Sequence, residues 1–188
     1  MKVTQLFSTI FFLLSLSTPS LLEAGPYVAA SVGGDIEAGG DAYTDRDPRF
    51  SFKAEAGMGL FALPVTFSSG QDVLIVGAKP RLQYFFGIPA LDGVEIAPAA
   101  GATINYWNSS VGFFGQNVDI DVLELGVNLG AIIRYELLEL FFIQLEPVNL
   151  DFNFFRKIWV GSGGQSVSDT NSKLGVVWSL YLGAGFGF

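Results

Sequence analysis

The 188-residue sequence contains no cysteine and no histidine, and each absence removes a class of function. Without cysteine there is no disulfide framework, so stability has to come from hydrogen bonding and packing. Without histidine the usual general base and the commonest metal ligand are missing, and Ser-His nucleophilic chemistry is excluded. Bases are scarce: ten Lys and Arg against eighteen Asp and Glu give a net charge of −8 and a pI near 4.3. No basic cluster is present, which argues against nucleic acid as a partner. Long apolar runs are also lacking. The longest, from Leu6 to Leu16, falls short of the about 20 residues a membrane helix needs.

That short run has another reading. It follows Met1-Lys2, precedes Pro19 and ends at the small Ala24, the pattern of a secretory signal peptide. The expected organisation is a cleaved signal at 1–24 and one domain at 25–188. Removing 24 of 188 residues leaves 164; Lys2 and Glu23 go together, so the charge stays at −8. No cysteine follows the run, so a lipoprotein anchor is excluded.

Half of the residues are hydrophobic and the mean hydropathy is +0.44, yet the rest of the chain has no helical period. It alternates with period two, punctuated by Gly, Pro, Asn, Asp and Ser. From Leu74 to Phe86 the even positions are uncharged and mostly large, whereas Gly77, Lys79, Arg81 and Gln83 take the odd ones. Val94 to Trp107 and Leu123 to Leu137 repeat the pattern. A soluble barrel turns its bulky residues inward. Here Gly, Ala, Ser and Thr crowd the charged face, which suits a narrow polar interior, and the bulky face suits lipid. The predicted fold class is all-β: an up-and-down antiparallel transmembrane β-barrel.

Connector lengths supply the orientation. Gly161–Ser172 and Asn108–Asn117 are long and polar, whereas Gly87–Gly93 and Leu137–Glu139 are short. Outer-membrane barrels alternate long external loops with short periplasmic turns, which places Phe188 in the periplasm. Pro26–Ile36 is a first strand, followed by an acidic loop, Glu37–Pro48. Counting Arg49–Leu63 as one strand gives seven in all. A turn at Gly57-Met58-Gly59, with an external hairpin at Ser69–Asp72, restores the even number expected, eight. Phase slips at Val122-Leu123 and Pro147-Val148 read as bulges.

The last strand is the most specific signal. Leu180, Leu182, Ala184, Phe186 and Phe188 share one face, and Gly183, Gly185 and Gly187 lie on the other, where they leave room inside a tapering barrel. The opening Pro26-Tyr-Val-Ala-Ala-Ser-Val-Gly-Gly34, the Gly87 turn and this Phe-terminated strand resemble the small porin-like barrels of the OmpA and opacity-protein kind. The resemblance implies eight strands, a final strand read by the barrel-insertion machinery as an assembly signal, and a surface, adhesion or small-solute role. The peptidoglycan-binding domain of OmpA has no counterpart in residues 25–188.

Lys53, Glu55, Lys79, Arg81, Glu95, Glu124, Arg134 and Glu146 fall on the inner face, four bases against four acids. A balanced set can pair across a lumen just wide enough for side chains to fill, so a structural plug is expected, with a gated solute path as the sharper alternative. Aromatics near strand ends, among them Tyr27, Phe50, Tyr84, Tyr106, Phe141 and Trp178, suit interfacial girdles. Phe113, Phe114 and Trp159 stand in or beside external loops and are candidate contacts for a partner or for lipopolysaccharide. The first-loop acids Asp35, Glu37, Asp41, Asp45 and Asp47 match no calcium-loop spacing and read as a solvated run. No cofactor or metal is expected. Glu95 and Glu124 lie on different strands, so no acid–base pair is assembled and the chain reads as non-enzymatic.

Three functions are weighed: an outer-membrane barrel in a Gram-negative envelope with a mostly plugged lumen, a small transport barrel for polar or hydrophobic solutes, and a secreted soluble ligand carrier. The expected partners are outer-membrane lipid and lipopolysaccharide.

Overall fold

The computed structural model describes residues 25–40, 48–70, 73–113, 116–162 and 165–188, with side chains except at 111–117 and 162–166. The signal-peptide expectation, the acids 41, 45 and 47, and Phe114 lie outside the described residues.

Among the described residues there are eleven strands: β1 (Tyr27–Gly39), β2 (Arg49–Met58), β3 (Phe61–Gly70), β4 (Val73–Ala78), β5 (Arg81–Gln83), β6 (Phe86–Ile88), β7 (Leu91–Phe113), β8 (Gln116–Leu138), β9 (Phe141–Ser162), β10 (Gln165–Asn171) and β11 (Gly175–Gly187). They form eight staves, because β4, β5 and β6 run in succession along β7, and β10 and β11 run in succession along β9. β11 pairs antiparallel with β1, and the ring closes as an eight-stranded up-and-down barrel.

The register gives the stagger. Across the strands, Tyr27 faces Gly57, then Ala62, Arg81, Gly101, Asn128, Asp151 and Val177, and the path re-enters β1 at Glu37, ten residues beyond its start. With about 3.3 Å rise per residue and about 4.7 Å between strands, that stagger over eight staves tilts them by roughly 40°.

The alternation places the residues as the bulk argument requires. Lys53, Glu55, Lys79, Arg81 and Glu146 are buried inside, whereas Phe50, Phe61, Leu74, Leu82 and Leu182 are exposed outside. Closure removes the sheet edges along the shared height of the wall. The turn between β2 and β3 falls at Gly59-Leu60, where Gly59 has a φ of 58°, and leaves two strands of ten residues each. Gly183 and Gly185 face inward, where a Cβ would meet Ser31 and the Phe142 ring respectively; on this strand the small residues do make room.

Three expectations need correction. The polar segments Asn108–Asn117 and Gly161–Ser172 are largely strand: β7 reaches Phe113, β8 starts at Gln116, and β10 occupies Gln165–Asn171. In β8 the alternating Val118-Asp-Ile-Asp-Val122 carries the strand up from the barrel wall. The stave expected from Leu74 to Phe86 is broken at Lys79-Pro80, because Pro80 has no N–H to give. It still accepts from Ala102 N at 3.0 Å, and Lys79 N donates to Pro64 O at 2.9 Å. Finally, β7 and β8 pair without a slip at Val122-Leu123. Val122 is simply an inward apolar residue, fully buried. The bulge at Pro147 is present, and a second lies in β9 near Phe154.

Candidate functional site

The interior is the densest assembly of polar chemistry in the molecule. Its residues come from every stave, and each points inward because it shares parity with its strand's small or polar positions. At the centre, Arg81 on β5 reaches two carboxylates. Its Nη1 donates to Glu146 Oε1 at 2.6 Å and its Nη2 to Glu55 Oε2 at 2.7 Å. Lys53 Nζ pairs with Glu146 and lies 3.3 Å from Glu55 Oε2. These two bases and two acids form a closed quartet with side chains essentially inaccessible to solvent. Removing charges from water is costly, and only near-complete mutual satisfaction makes such a group tolerable.

Further layers lie on either side. Lys79 Nζ meets Asp151 Oδ2 at 2.8 Å and donates to Asn149 Oδ1 at 3.3 Å. Asn128 Nδ2 donates to Asn149 Oδ1 at 2.9 Å and Asp151 Oδ1 at 2.7 Å. Nearer the end opposite the termini, Arg156 pairs with Glu124, and Arg49 Nη1 meets Glu37 Oε1 at 3.0 Å. Between these groups sits a cavity of about 20 Å³ lined by Asp35, Lys79, Glu124 and Asp151, room for about one water molecule.

Toward the termini the chemistry changes. The Arg134 guanidinium lies 3.8 Å from the Phe85 ring centroid, 3.9 Å from that of Phe142 and 4.4 Å from that of Tyr27. This cation–π cage caps a vestibule of about 410 Å³ open at the terminal end of the barrel. Gln83 donates to the Tyr27 hydroxyl, which donates to Glu55, so cage and quartet are linked.

The eight charges singled out in the sequence therefore separate. Lys53, Glu55, Arg81 and Glu146 meet in one quartet; Lys79 and Glu124 join other pairs. Arg134 is held by aromatic rings, and Glu95, its register partner, is half-buried at the vestibule. Several members escape the sequence reading. Asp35, expected in the solvated acidic run, lies on β1, buried, accepting from Ser51 Oγ at 2.5 Å and Tyr181 Oη at 3.1 Å. Glu37 is likewise paired, not solvated. Asp151 and Arg156 follow the bulges in β9, each of which reverses the parity. Tyr27, expected in a girdle, points inward.

On the outer face, Leu180, Leu182, Ala184 and Phe188 are exposed and Phe186 is partly so; the Phe186 ring packs edge-on to Phe141 at 4.9 Å and Phe188 at 5.2 Å. Trp159 lies on β9 rather than in a loop, half-exposed, with Lys157 Nζ 5.0 Å from its ring centroid. Phe113 ends β7.

Among the described residues no group of His, Cys, Asp or Glu is arranged to hold a metal ion. No family model and no curated protein matches the chain. Solved structures do. A major outer membrane protein from Thermus thermophilus is 16% identical, with 87% of this chain and 99% of that one covered and a TM-score of 0.57. Neisserial surface protein A is 18% identical, with 87% and 97% covered and a TM-score of 0.51. The closed eight-stranded ring thus has the fold of the small outer-membrane barrels of the OmpA-like kind.

Proposed function

We propose that this chain is a non-enzymatic outer-membrane barrel with a closed lumen, acting from the cell surface or as a structural part of the envelope. The observation that carries the reading is Arg81 bridging Glu55 and Glu146 across the interior, with Lys53 completing the quartet. The bulky exposed outer face supports a lipid setting over a secreted soluble barrel, because a monomer in water rarely exposes so continuous an apolar band. In this reading residues 1–24 are the export signal, removed after Ala24. Phe188 lies in the periplasm, the strand ending there is the insertion signal, and β7–β10 project outside.

The test is conductance in planar bilayers, together with migration of the unboiled and boiled protein on a gel. A plugged lumen gives no steady current in the wild type and leakage in Arg81→Ala. Steady wild-type conduction overturns the plug in favour of the transport reading, and recovery as a soluble periplasmic protein overturns the membrane setting altogether.

A further inference from the structure

The barrel is taller on one side. β2 and β3 have ten residues each, β7 and β8 have 23 and β9 has 22. β4 leaves β7 at Ser109, and β11 leaves β9 at Asn153. Beyond those points β7, β8, β9 and β10 stand as a four-stranded sheet on the rim opposite the termini. Its outer face continues the lipid-facing side of the same strands, so its composition can be read row by row from the register.

At its base, where β4 still flanks β7, one row runs Leu74, Asn108, Asp121, Trp159 and Ser168 as successive cross-strand partners, and the row nearer the band runs Val76, Tyr106, Leu123, Lys157 and Thr170. Above them Ser110 faces Asp119. From β7 to β10 the outer face has become polar, with one indole at its centre and the exposed Leu74 at its β4 side. Asp121 Oδ1 accepts from Tyr106 Oη at 2.5 Å and from Asn108 Nδ2 at 2.8 Å, and Asp119 Oδ1 accepts from Ser110 Oγ at 2.6 Å. Each carboxylate is therefore fixed through Oδ1, leaving Oδ2 turned to no described partner. Directly opposed residues in a sheet hold their Cβ atoms about 5 Å apart, which sets the Asp121 carboxylate beside the Trp159 ring.

We propose that this outer face binds the saccharide headgroup of the outer-leaflet glycolipid, with Trp159 as stacking platform and Asp119 and Asp121 as acceptors for sugar hydroxyls. The inference rests on the outer-membrane reading above. Two observations select this occupant. The face is continuous with the lipid-facing wall immediately above the exposed Tyr106 and Phe154, so what touches it is whatever lies at headgroup depth in the surrounding leaflet. The chemistry also fits: a sugar presents an apolar C–H face to an indole and ring-edge hydroxyls to oriented carboxylates, which accept only. Lys157, poised over the indole, is placed for a sugar phosphate.

The experiment uses the full mature protein in phosphatidylcholine nanodiscs, titrated with core-bearing lipopolysaccharide, with lipid A lacking core sugars, or with deacylated core oligosaccharide. Binding is read by tryptophan fluorescence and by native mass spectrometry. Expected are saturable binding of core-bearing lipopolysaccharide and of the free core oligosaccharide, and affinity weakened roughly tenfold or more in Asp121→Asn and in Trp159→Ala. Both positions are solvent-facing, and heat-modifiable migration checks that each variant is folded. Equal binding of lipid A, or unchanged affinity in both folded variants, overturns the proposal. A protein that does not enter the nanodiscs at all fails the outer-membrane reading instead, so the two failures are distinguishable.

Discussion

Arg81 and Glu146 stand three staves apart around the barrel and 65 residues apart in sequence, yet Nη1 of one lies 2.6 Å from Oε1 of the other. The contact crosses the lumen and exists only when the ring is closed, because neither strand is hydrogen-bonded to the other. It therefore reports closure, and it has measurable consequences.

Removing one member leaves the others uncompensated. Arg81→Ala leaves Lys53 as the one base of the quartet against both Glu55 and Glu146 and is expected to cost about 3–5 kcal/mol. Replacing all four members, Lys53, Glu55, Arg81 and Glu146, by apolar residues of similar volume is expected to cost much less, since the desolvation penalty goes with the charges. Urea unfolding in detergent or bilayers measures both. A quadruple variant no more stable than Arg81→Ala would show that packing, not charge, dominates the site.

Inward glycines are expected to tolerate no side chain where a ring fills their place. At Gly185 a Cβ would run into the Phe142 ring, whereas at Gly187 it meets nothing. Gly185→Val is expected to destabilise by about 1–3 kcal/mol through overpacking, and Gly187→Val by clearly less. The comparison is made by the midpoint of heat-modifiable migration. Equal shifts would mean that the ring swings aside freely.

Depth sets the cost of a charge on the outer face. Leu129 and Tyr135 both face outward on β8, separated by about 15 Å along the barrel axis at the stated rise and tilt. Leu129→Arg is expected to cost about 2–4 kcal/mol and Tyr135→Arg about 0–1 kcal/mol. Reversible unfolding in phospholipid vesicles gives both values. Equal costs would place the apolar band elsewhere on the wall.

Asp121 lies on the raised sheet, beyond the band, where hydrogen bonds from Tyr106 and then Asn108 hold its carboxyl below the ordinary carboxylate range. With the folded value depressed, the stabilising contribution is complete above the usual aspartate range and fades as pH falls through the folded value. NMR titration is expected to place Asp121 below a free aspartate, and Tyr106→Phe is expected to raise its midpoint. Identical midpoints would show that the Tyr106 bond does not persist in solution.

Strand identity is legible because a two-residue period survives any tertiary context in which one face meets lipid and the other a narrow interior. Glu124 and Arg134 can be placed inside on that ground alone. The signal weakens where the environment changes sides. Above the apolar wall, Asn108–Asn117 and Gly161–Ser172 lack the bulky-versus-small contrast and read as loop, although strand occupies much of both. It also weakens at bulges: one extra residue at Pro147 and another near Phe154 turn Asp151 and Arg156 inward.

What the sequence determined by itself was local: the all-β class, the even strand count once a turn was placed near Gly57, and which residue of each neighbouring pair faces in. These follow from backbone geometry and from the sorting of bulky against small side chains, and need no knowledge of the partner strand. Only the tertiary structure decided who meets whom. The ten-residue stagger sets Arg81 level with Glu55 and Glu146, draws Arg134 into an aromatic cage and leaves Glu95 at the vestibule. Stagger belongs to the closed ring as a whole, accumulated over eight pairings, so no single segment encodes it.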